Sequence, residues 1–492
     1  MKKFLVAIDQ GTTSSRSILF DLKGNPLFIS QKEFKQYFPK NGWVEHDPEE
    51  IWKTTFRTLK DVIKKSKQKK GKILSIGITN QRETTILWNK KTGKAIHKAI
   101  VWQDRRTESF CKRLRKLKKE KLIFKKTGLH VDPYFSGTKI KWILENIPAA
   151  KKLNKENNLL FGTIDTFLIW RLTNKKVHAT DATNASRTMI YNISKNKWDD
   201  QILKLLKINK KILPEVKNCS DDFGFVSKSL IGENIPIRGV IGDQQSATFG
   251  QACFEPGSIK STYGTGAFVL LNTGYKKIFS KNKLLTTIAY RLEGKTTYAL
   301  EGSIFIAGAG VQWIRDKLKF IKKASDTEKI LESTESNRGV YLVPAFTGLG
   351  APYWKANARG ILTGITRDTG SKEITRSIVE SVAYQTYDLF HAMKNDGITP
   401  KLVKVDGGMA SNNWFSQFLS DIINKEVVRP KILETTALGA ALVAGLGIGV
   451  YKSLSDIKKM WKKEKNFKPK IQHSTKIKLI EGWKQAVNKT IY

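Results

Sequence analysis

Apolar and polar positions along the chain fall into two rhythms. Phe4-Leu5-Val6-Ala7-Ile8 is a short unbroken apolar run, Arg16 to Phe20 is another, and the polar cluster Asp9-Gln10-Gly11-Thr12-Thr13-Ser14-Ser15 lies between them. Such a pattern predicts strand, tight turn, strand. It returns mid-chain as Ser258 to Thr262, the turn Tyr263-Gly264-Thr265-Gly266 and the apolar run Ala267 to Leu271. Two Gly-Thr hairpins about 250 residues apart point to two related halves, each opening on a phosphate-facing turn. Between them, strands such as Ile73 to Thr79 alternate with helical stretches such as Glu49 to Lys64. Beyond the second hairpin, helices predominate, as in Lys372 to Met393 and Trp414 to Ile423. The expectation is an α/β protein. A Cys-Phe-Glu-Pro-Gly turn within Phe249 to Gly257 marks the boundary, giving domains 1–250 and 251–450 and a lysine-rich helical extension over 451–492.

Composition narrows the class. At 492 residues the chain exceeds one ordinary domain, and a 40% hydrophobic fraction supplies sizeable cores, which excludes a mainly disordered protein. Ala437 to Val450 is the longest uncharged apolar stretch; crossing a bilayer takes roughly 20 residues, so it reads as a tightly packed buried helix. The N-terminal run lacks the apolar core and cleavage site of a signal peptide, and a cytoplasmic location is expected. Cys111, Cys219 and Cys253 are dispersed and suggest neither a disulfide framework nor a metal cluster. The formal charge of +43 raises nucleic acid or an anionic surface as a partner. The lysines are spread everywhere without interleaved aromatics, so a general lysine bias is preferred over a dedicated polyanion site.

Four polar stretches stand where predicted strands end. Asp9 before a Gly/Thr/Ser turn suits phosphate and Mg²⁺ chemistry. Gly11 admits the phosphates, Thr12, Thr13 and Ser14 can donate to their oxygens, Arg16 is a cationic clamp, and Asp9 can face a hydrated ion. A plain hairpin would favour the same residues. Gly242-Asp243-Gln244-Gln245 follows the mostly apolar Ile235 to Ile241. A carboxylate there makes a general base beside a hydroxyl-orienting amide, or else Asp243 caps a helix begun by Ser246. Val405-Asp406-Gly407-Gly408 to Asn413 reads as strand, Gly-Gly, helix start, which can cradle a nucleotide and is also ordinary turn chemistry. In Thr79 to Thr85, Arg82 and Glu83 supply donors and an acceptor for two hydroxyls of a polyol; the alternative is a surface salt bridge.

Together these blocks resemble a known family. Asp9 to Arg16, Gly42 to Pro48, Thr79 to Thr85, Val101-Trp102-Gln103 and Asp132 to Lys139 are similar to the glycerol kinases of the FGGY carbohydrate kinase family. So are Phe161-Gly162-Thr163, Thr183 to Met189, Gly242 to Gln245, Tyr263 to Gly266 and Val343 to Trp354, in order and at family spacing. The resemblance implies an actin-like, ribonuclease-H-like ATPase fold whose two domains close over a catalytic cleft. It implies ATP-dependent phosphorylation of glycerol to sn-glycerol 3-phosphate, with Mg²⁺, in a homodimer or homotetramer, the first domain binding glycerol and phosphate and the second the nucleotide. By position, Arg82, Glu83, Tyr134 and Asp243 would hold the glycerol hydroxyls with Gln244 beside them, and Trp102 and Phe268 would wall the carbons. Thr12, Thr13, Ser14, Arg16, Thr265 and Gly308 would face the phosphates, and Gln312, Gly408 and Asn412 the nucleoside. Asp9 and Asp243 would lie near Mg²⁺, and Asp243 would act as general base in a direct in-line transfer.

Some positions depart from the family pattern. Relatives inhibited by fructose 1,6-bisphosphate carry a Gly-rich loop where this chain has the shorter Ser227 to Asn234, with only Gly232. No histidine stands between His178 and His391, so control by histidine phosphorylation is not expected either. Asp104 and Ala182 also differ from the usual residues and have no assigned role. Three other readings compete: a kinase for another polyol or sugar such as xylulose or gluconate, a non-enzymatic actin-like ATPase, and a polyanion-binding protein. The first would prefer a different acceptor, the second would turn over ATP without one, and the third would bind DNA in a salt-sensitive way.

Overall fold

The structure, a computed structural model, describes residues 1–355 and 357–491. They gather into two compact units. The first comprises Met1–Ala252, Thr286–Tyr298 and Glu434–Met460; the second comprises Cys253–Leu285, Ala299–Leu433 and Trp461–Tyr492.

The sheet of the first unit is built from β1 (Lys2–Gln10), β2 (Ser14–Asp21), β3 (Pro26–Glu33), β4 (Gly71–Asn80) and β5 (Ile235–Gly242). Their order is β3-β2-β1-β4-β5, with the short strand Phe225–Val226 beyond β5. β1, β2 and β3 form an antiparallel meander, while β4 runs parallel to β1 and β5 parallel to β4. Phe4 to Ile8 shows no alternation because both faces of β1 are covered. Phe4, Val6 and Ile8 join Ile51, Leu59 and Val62 of the helix Pro48–Gln68 in one core. Leu5 points the other way, 3.1 Å from where a Cβ on Gly445 would stand.

Gly445 belongs to the helix Thr435–Gly447, which is buried along most of its length. Its small residues let backbone meet backbone. A Cβ on Gly77 of β4 would fall 2.0 Å from the Ala440 carbonyl oxygen, and one on Gly239 of β5 would fall 2.5 Å from the Ala444 nitrogen. On the same helix, a Cβ on Gly439 would meet the Ser246 carbonyl oxygen at 1.9 Å, and one on Gly250 would meet that of Thr435 at 2.1 Å. Ser246 and Gly250 lie on the helix Asp243–Gly250 that follows β5.

In a second sheet, β6 (Ile259–Tyr263), β7 (Ala267–Gly274), β8 (Lys295–Ile304), β9 (Val403–Asp406) and β10 (Val427–Pro430) take the order β8-β7-β6-β9-β10. That order matches the first sheet, with β6 and β7 antiparallel and β9 and β10 parallel to β6 and β9 in turn. The duplication read from the two hairpins is therefore present in the strand order. β11 (Lys463–Phe467) pairs antiparallel with β10 at one edge. The helices Ser371–Asn395, Asn413–Ile423 and His473–Ile491 contribute Tyr384, Phe415 and Trp483 to its core. Trp483 Nε1–H and Tyr353 O–H both donate to Asp388, at 2.8 and 2.9 Å, and burial pushes the Asp388 carboxyl up to about 6.

The compact units are not continuous along the chain. Glu434–Met460 folds onto the first unit, because the apolar helix Thr435–Gly447 needs a glycine-lined surface on which to bury its backbone. The residues beyond belong to the second unit and form a sheet strand and the helix His473–Ile491. Among the described residues, no helix is long and apolar enough to cross a membrane.

Two stability predictions follow from this packing. Gly439→Ala should lower the unfolding free energy by about 1–3 kcal/mol, as overpacking does; an unchanged denaturation midpoint would mean the helix can shift at no cost. The raised Asp388 pKa contributes stability that is full below the ordinary carboxylate range and is lost as pH rises through about 6. Against wild type, Asp388→Asn should therefore gain relative stability from about pH 4 to pH 7 and level off above. A difference in melting temperature that ignores pH in that window would mean Asp388 titrates normally.

Candidate active site

The parallel strands of the first sheet end in register, with Gln10 opposite Asn80 and Asn80 opposite Gly242. The chain leaving β1, β4 and β5 thus delivers Asp9 to Ser14, Gln81 to Thr85 and Asp243 to one edge, the carboxyl edge where α/β sheets place ligands. The turn after β1 is closed by Gly11 N–H donating to the Ser14 carbonyl at 2.9 Å. Gln81 ties it to the next loop. Its backbone N–H donates to the Gln10 carbonyl at 2.8 Å, and its side-chain amide donates to Gln10 Oε1 and the Gly11 carbonyl at 3.1 and 3.0 Å. Asp9 is buried and pairs with Arg16, whose Nη1 also donates to Glu434 at 2.8 Å. The Asp9 charge, with Glu434 assisting, holds the Arg16 guanidinium above its ordinary pKa despite burial. Thr12 Oγ1 accepts from Trp102 Nε1–H at 3.0 Å, Ser14 Oγ accepts from Gln31 at 3.0 Å, and Thr13 is exposed.

Arg82 and Glu83 are not a surface pair: each side chain is only 2% exposed. Glu83 takes the left-handed backbone conformation, φ 61°, which a non-glycine residue adopts at a cost. Its Oε1 accepts from Arg187 Nε at 2.7 Å, with Arg82 Nε 4.0 Å away. Arg82 Nε lies 3.1 Å from Asp243 Oδ1, and its Nη1 donates to Gln245 Oε1 at 3.1 Å. Asp243, with its side chain 29% exposed, is the open member of this group. It is the first residue of its helix, which starts three residues before Ser246, and Gly242 takes the cap position. Its carboxylate accepts from the Gln244 backbone N–H at 2.7 Å and side-chain amide at 3.2 Å. Trp102 and Tyr134 meet edge to face at 5.8 Å, and the Arg187 guanidinium lies 5.5 Å over the Tyr134 ring. Beneath them Lys139 donates to the Tyr134 carbonyl at 2.5 Å, and burial pulls its pKa down to about 8. Arg82, Glu83, Trp102, Tyr134, Asp243 and Gln244 are thus brought together within the first unit.

Residues without an expected role hold this arrangement. Asp104 accepts from Val44 N–H at 2.7 Å and from the backbone and guanidinium of Arg106 at 2.8–2.9 Å, which locks the loop carrying Trp102. Arg187 stood inside a recognised block, but nothing in its spacing marked it as the partner of Glu83. Asp165 accepts from Thr163 and Thr180 at 2.5 and 2.6 Å and from Asn80 at 3.4 Å; burial, with the neighbouring Asp181 charge, pushes it up to about 7. Ala182 opens the buried helix Ala182–Ser186. Ser227 to Asn234 folds around a short helix, Lys228–Ile231, ended by Gly232 in the left-handed conformation.

The second unit holds a cavity of about 310 Å³, within the range of small-molecule sites, lined by Thr265, Gly308, Gln312, Gly408 and Asn412 among others. Gly308 N–H donates to the Gly264 carbonyl at 2.9 Å, and Ala309 N–H to that of Thr265 at 3.0 Å, so the turn after β6 is seated on the helix Gly308–Asp316. Gly407, φ 89°, passes so close to Tyr263 that a Cβ would stand 2.5 Å from its carbonyl oxygen; next to it, Gly408 has open space. Asn412 accepts from Phe415 N–H at 2.9 Å, capping Asn413–Ile423. Phe268 sits on β7 opposite Thr262 and does not line this cavity.

Residues 4–250 match the N-terminal domain and residues 259–448 the C-terminal domain of the FGGY family of carbohydrate kinases. The chain is 55% identical over 494 residues to a glycerol kinase of Rhizobium meliloti, covering 100% of this chain and 99% of that protein. It is 52% identical over 489 residues to glycerol kinase 1 of Pseudomonas aeruginosa, covering 99% of each. Among solved structures, Plasmodium falciparum glycerol kinase with ADP superposes with a TM-score of 0.94 at 39% identity, over 100% of this chain and 99% of that one. A xylulose kinase from Lactobacillus acidophilus, 23% identical, shares the fold with a TM-score of 0.88 over 99% of this chain and 98% of its own. With both domains matched and full-length relatives above half identity, the chain belongs to the FGGY family of carbohydrate kinases.

Proposed function

We propose that this protein transfers the γ-phosphoryl group of ATP to a terminal hydroxyl of glycerol, releasing ADP and sn-glycerol 3-phosphate. The observation that carries the reading is the buried Arg82–Glu83–Arg187 cluster with the half-open Asp243 carboxylate against it, on the same sheet edge as the Gly-Thr turn. A small polyol needs paired donors and acceptors in a dry setting, and an Arg–carboxylate pair supplies both. The relatives named glycerol kinase support the same acceptor.

In this reading Arg82, Glu83, Tyr134 and Asp243 hold the glycerol hydroxyls, Gln244 steadies the Asp243 carboxylate and Trp102 faces the carbons. Asp243 takes the proton of the attacking hydroxyl as its oxygen bonds to the γ-phosphorus and the β-phosphate oxygen of ADP leaves. Thr12, Thr13, Ser14 and Arg16 meet phosphate oxygens, so the spreading negative charge finds donors already in place. The cavity of the second unit takes the nucleotide, with Thr265 and Gly308 toward its phosphates and Gln312, Gly408 and Asn412 toward its nucleoside.

Mg²⁺ is bound in such sites by one or two carboxylates together with water and substrate phosphates. Asp9, buried beside Arg16, and Asp243, partly exposed, fit that demand and would hold it. Bound there with ATP, it supplies neutralising charge to the phosphates. The use of ATP and the burial of Cys111, Cys219 and Cys253 as thiols support a cytoplasmic location.

ADP release should be measured with ATP and Mg²⁺ and with glycerol, dihydroxyacetone, xylulose, gluconate or no acceptor. Strong release with glycerol alone is expected; release that ignores the acceptor or prefers a sugar would overturn the assignment. Asp243→Asn should lose about 10²–10⁴ in kcat while still binding both substrates; near-normal turnover removes Asp243 as base. Arg82→Lys, which keeps the charge but loses the fork, should raise the glycerol KM about tenfold, and an unchanged KM would count against Arg82 as a ligand.

A further inference from the structure

The helix Ala182–Ser186 is five residues long and wholly buried, yet the side chains of Thr183 and Asn184 reach strand ends of the candidate site. It begins after Asp181, whose carboxylate serves both its neighbours. Oδ2 accepts from Thr183 N–H and O–H at 2.8 and 2.6 Å, and Oδ1 accepts from Asn184 N–H and Nδ2 at 3.0 and 2.8 Å. Cys219 Sγ adds a further donor to Oδ2 at 3.2 Å. Because Thr183 gives its proton to Asp181, its oxygen turns lone pairs outward and accepts from Gly242 N–H at 2.8 Å. The side-chain amides of Asn184 and Asn80 exchange two hydrogen bonds, at 3.1 and 3.2 Å. One residue past the helix, Arg187 reaches Glu83 at 2.7 Å.

Each contact lands immediately before or on a residue of the candidate site. Gly242 precedes Asp243, and Asn80 ends β4 just before Gln81, Arg82 and Glu83. We propose that Thr183 and Asn184, both oriented by Asp181, are positioning residues that fix Asp243 relative to Arg82 and Glu83 from one rigid turn of helix. This rests on the reading of Asp243 as the general base. The physical case is that a proton acceptor displaced by about 1 Å can lose 10²-fold in rate. The amide of Gly242, in the peptide just before Asp243, donates to this hydroxyl. Gly242 leaves no slack elsewhere, since a Cβ there would already lie 2.9 Å from the Arg82 side chain.

Thr183 acts on the base and Asn184 on the loop of Arg82 and Glu83, so their substitution separates two kinetic constants. Thr183→Val keeps the shape and removes the oxygen; it should lower kcat about tenfold or more with glycerol KM within about twofold. Thr183→Ser restores the hydroxyl and should restore kcat. A residue that merely stabilised the fold would change active fraction or melting temperature without that rescue pattern, so both are measured alongside. If Thr183→Val does not fold, Thr183→Ala with the same serine comparison replaces it. A wild-type kcat in the variant, a loss shared equally with KM, or failure of serine to restore turnover each overturns the proposal. If the wild-type protein ignores glycerol, the glycerol reading fails by itself, and the Thr183 series is run with the acceptor that does drive ADP release.

Discussion

The first unit depends on a backbone-to-backbone approach that only glycine permits. The helix Thr435–Gly447 lies on β4 and β5 at Gly77 and Gly239 and crosses the helix Asp243–Gly250 at Gly439 and Gly250, with no room for a methyl group at any of the four. Close-packed interiors give way discontinuously rather than gradually. The crossing therefore sets where the second helix begins and where Asp243 stands. At the head of the long helix, Glu434 reaches Arg16, the residue that pairs with Asp9. The same segment thus supports both the strand end that precedes Asp243 and the turn suited to phosphate.

Against this tight apolar frame sits a group of charges that is expensive to bury. Removing Arg82, Glu83 and Arg187 from water costs several kcal/mol per ion unless each finds partners of good geometry. The partners are found within the group: Glu83 between two guanidiniums, Arg82 between Glu83, Asp243 and Gln245. Glu83 even adopts a left-handed backbone to reach its place. Strain and desolvation of this kind persist where dipoles must be aimed before the substrate arrives.

What the sequence discloses follows the range of the interactions. The Gly-Thr hairpins were legible because turn chemistry is local, and their repetition revealed the duplication that the two sheets confirm in strand order. The cluster Thr265, Gly308, Gln312, Gly408 and Asn412 came from family resemblance, and the structure gathers all five around one cavity. The start of the helix at Asp243 is hard to place from sequence, since its cap is a glycine with no side-chain signal. Arg82 and Glu83 could pass for a surface pair because the residue that makes their burial tolerable, Arg187, is 104 positions away from Glu83. Composition identified Ala437 to Val450 as a closely packed helix but could not name its partners, because the glycines that receive it stand far away at positions 77 and 239.

That destination has a bearing on biosynthesis. A ribosome releases β1 to β5 and the helix Asp243–Gly250 long before it reaches Thr435, so the nascent sheet emerges with one face uncovered. Non-local closure of this kind is entropically late. The first sheet must wait for nearly the whole chain, with Gly77 and Gly239 exposed to any hydrophobic surface in the meantime. A chain stopped anywhere before the last fifty or so residues would leave the N-terminal half as a substrate for chaperones rather than as an independent enzyme domain.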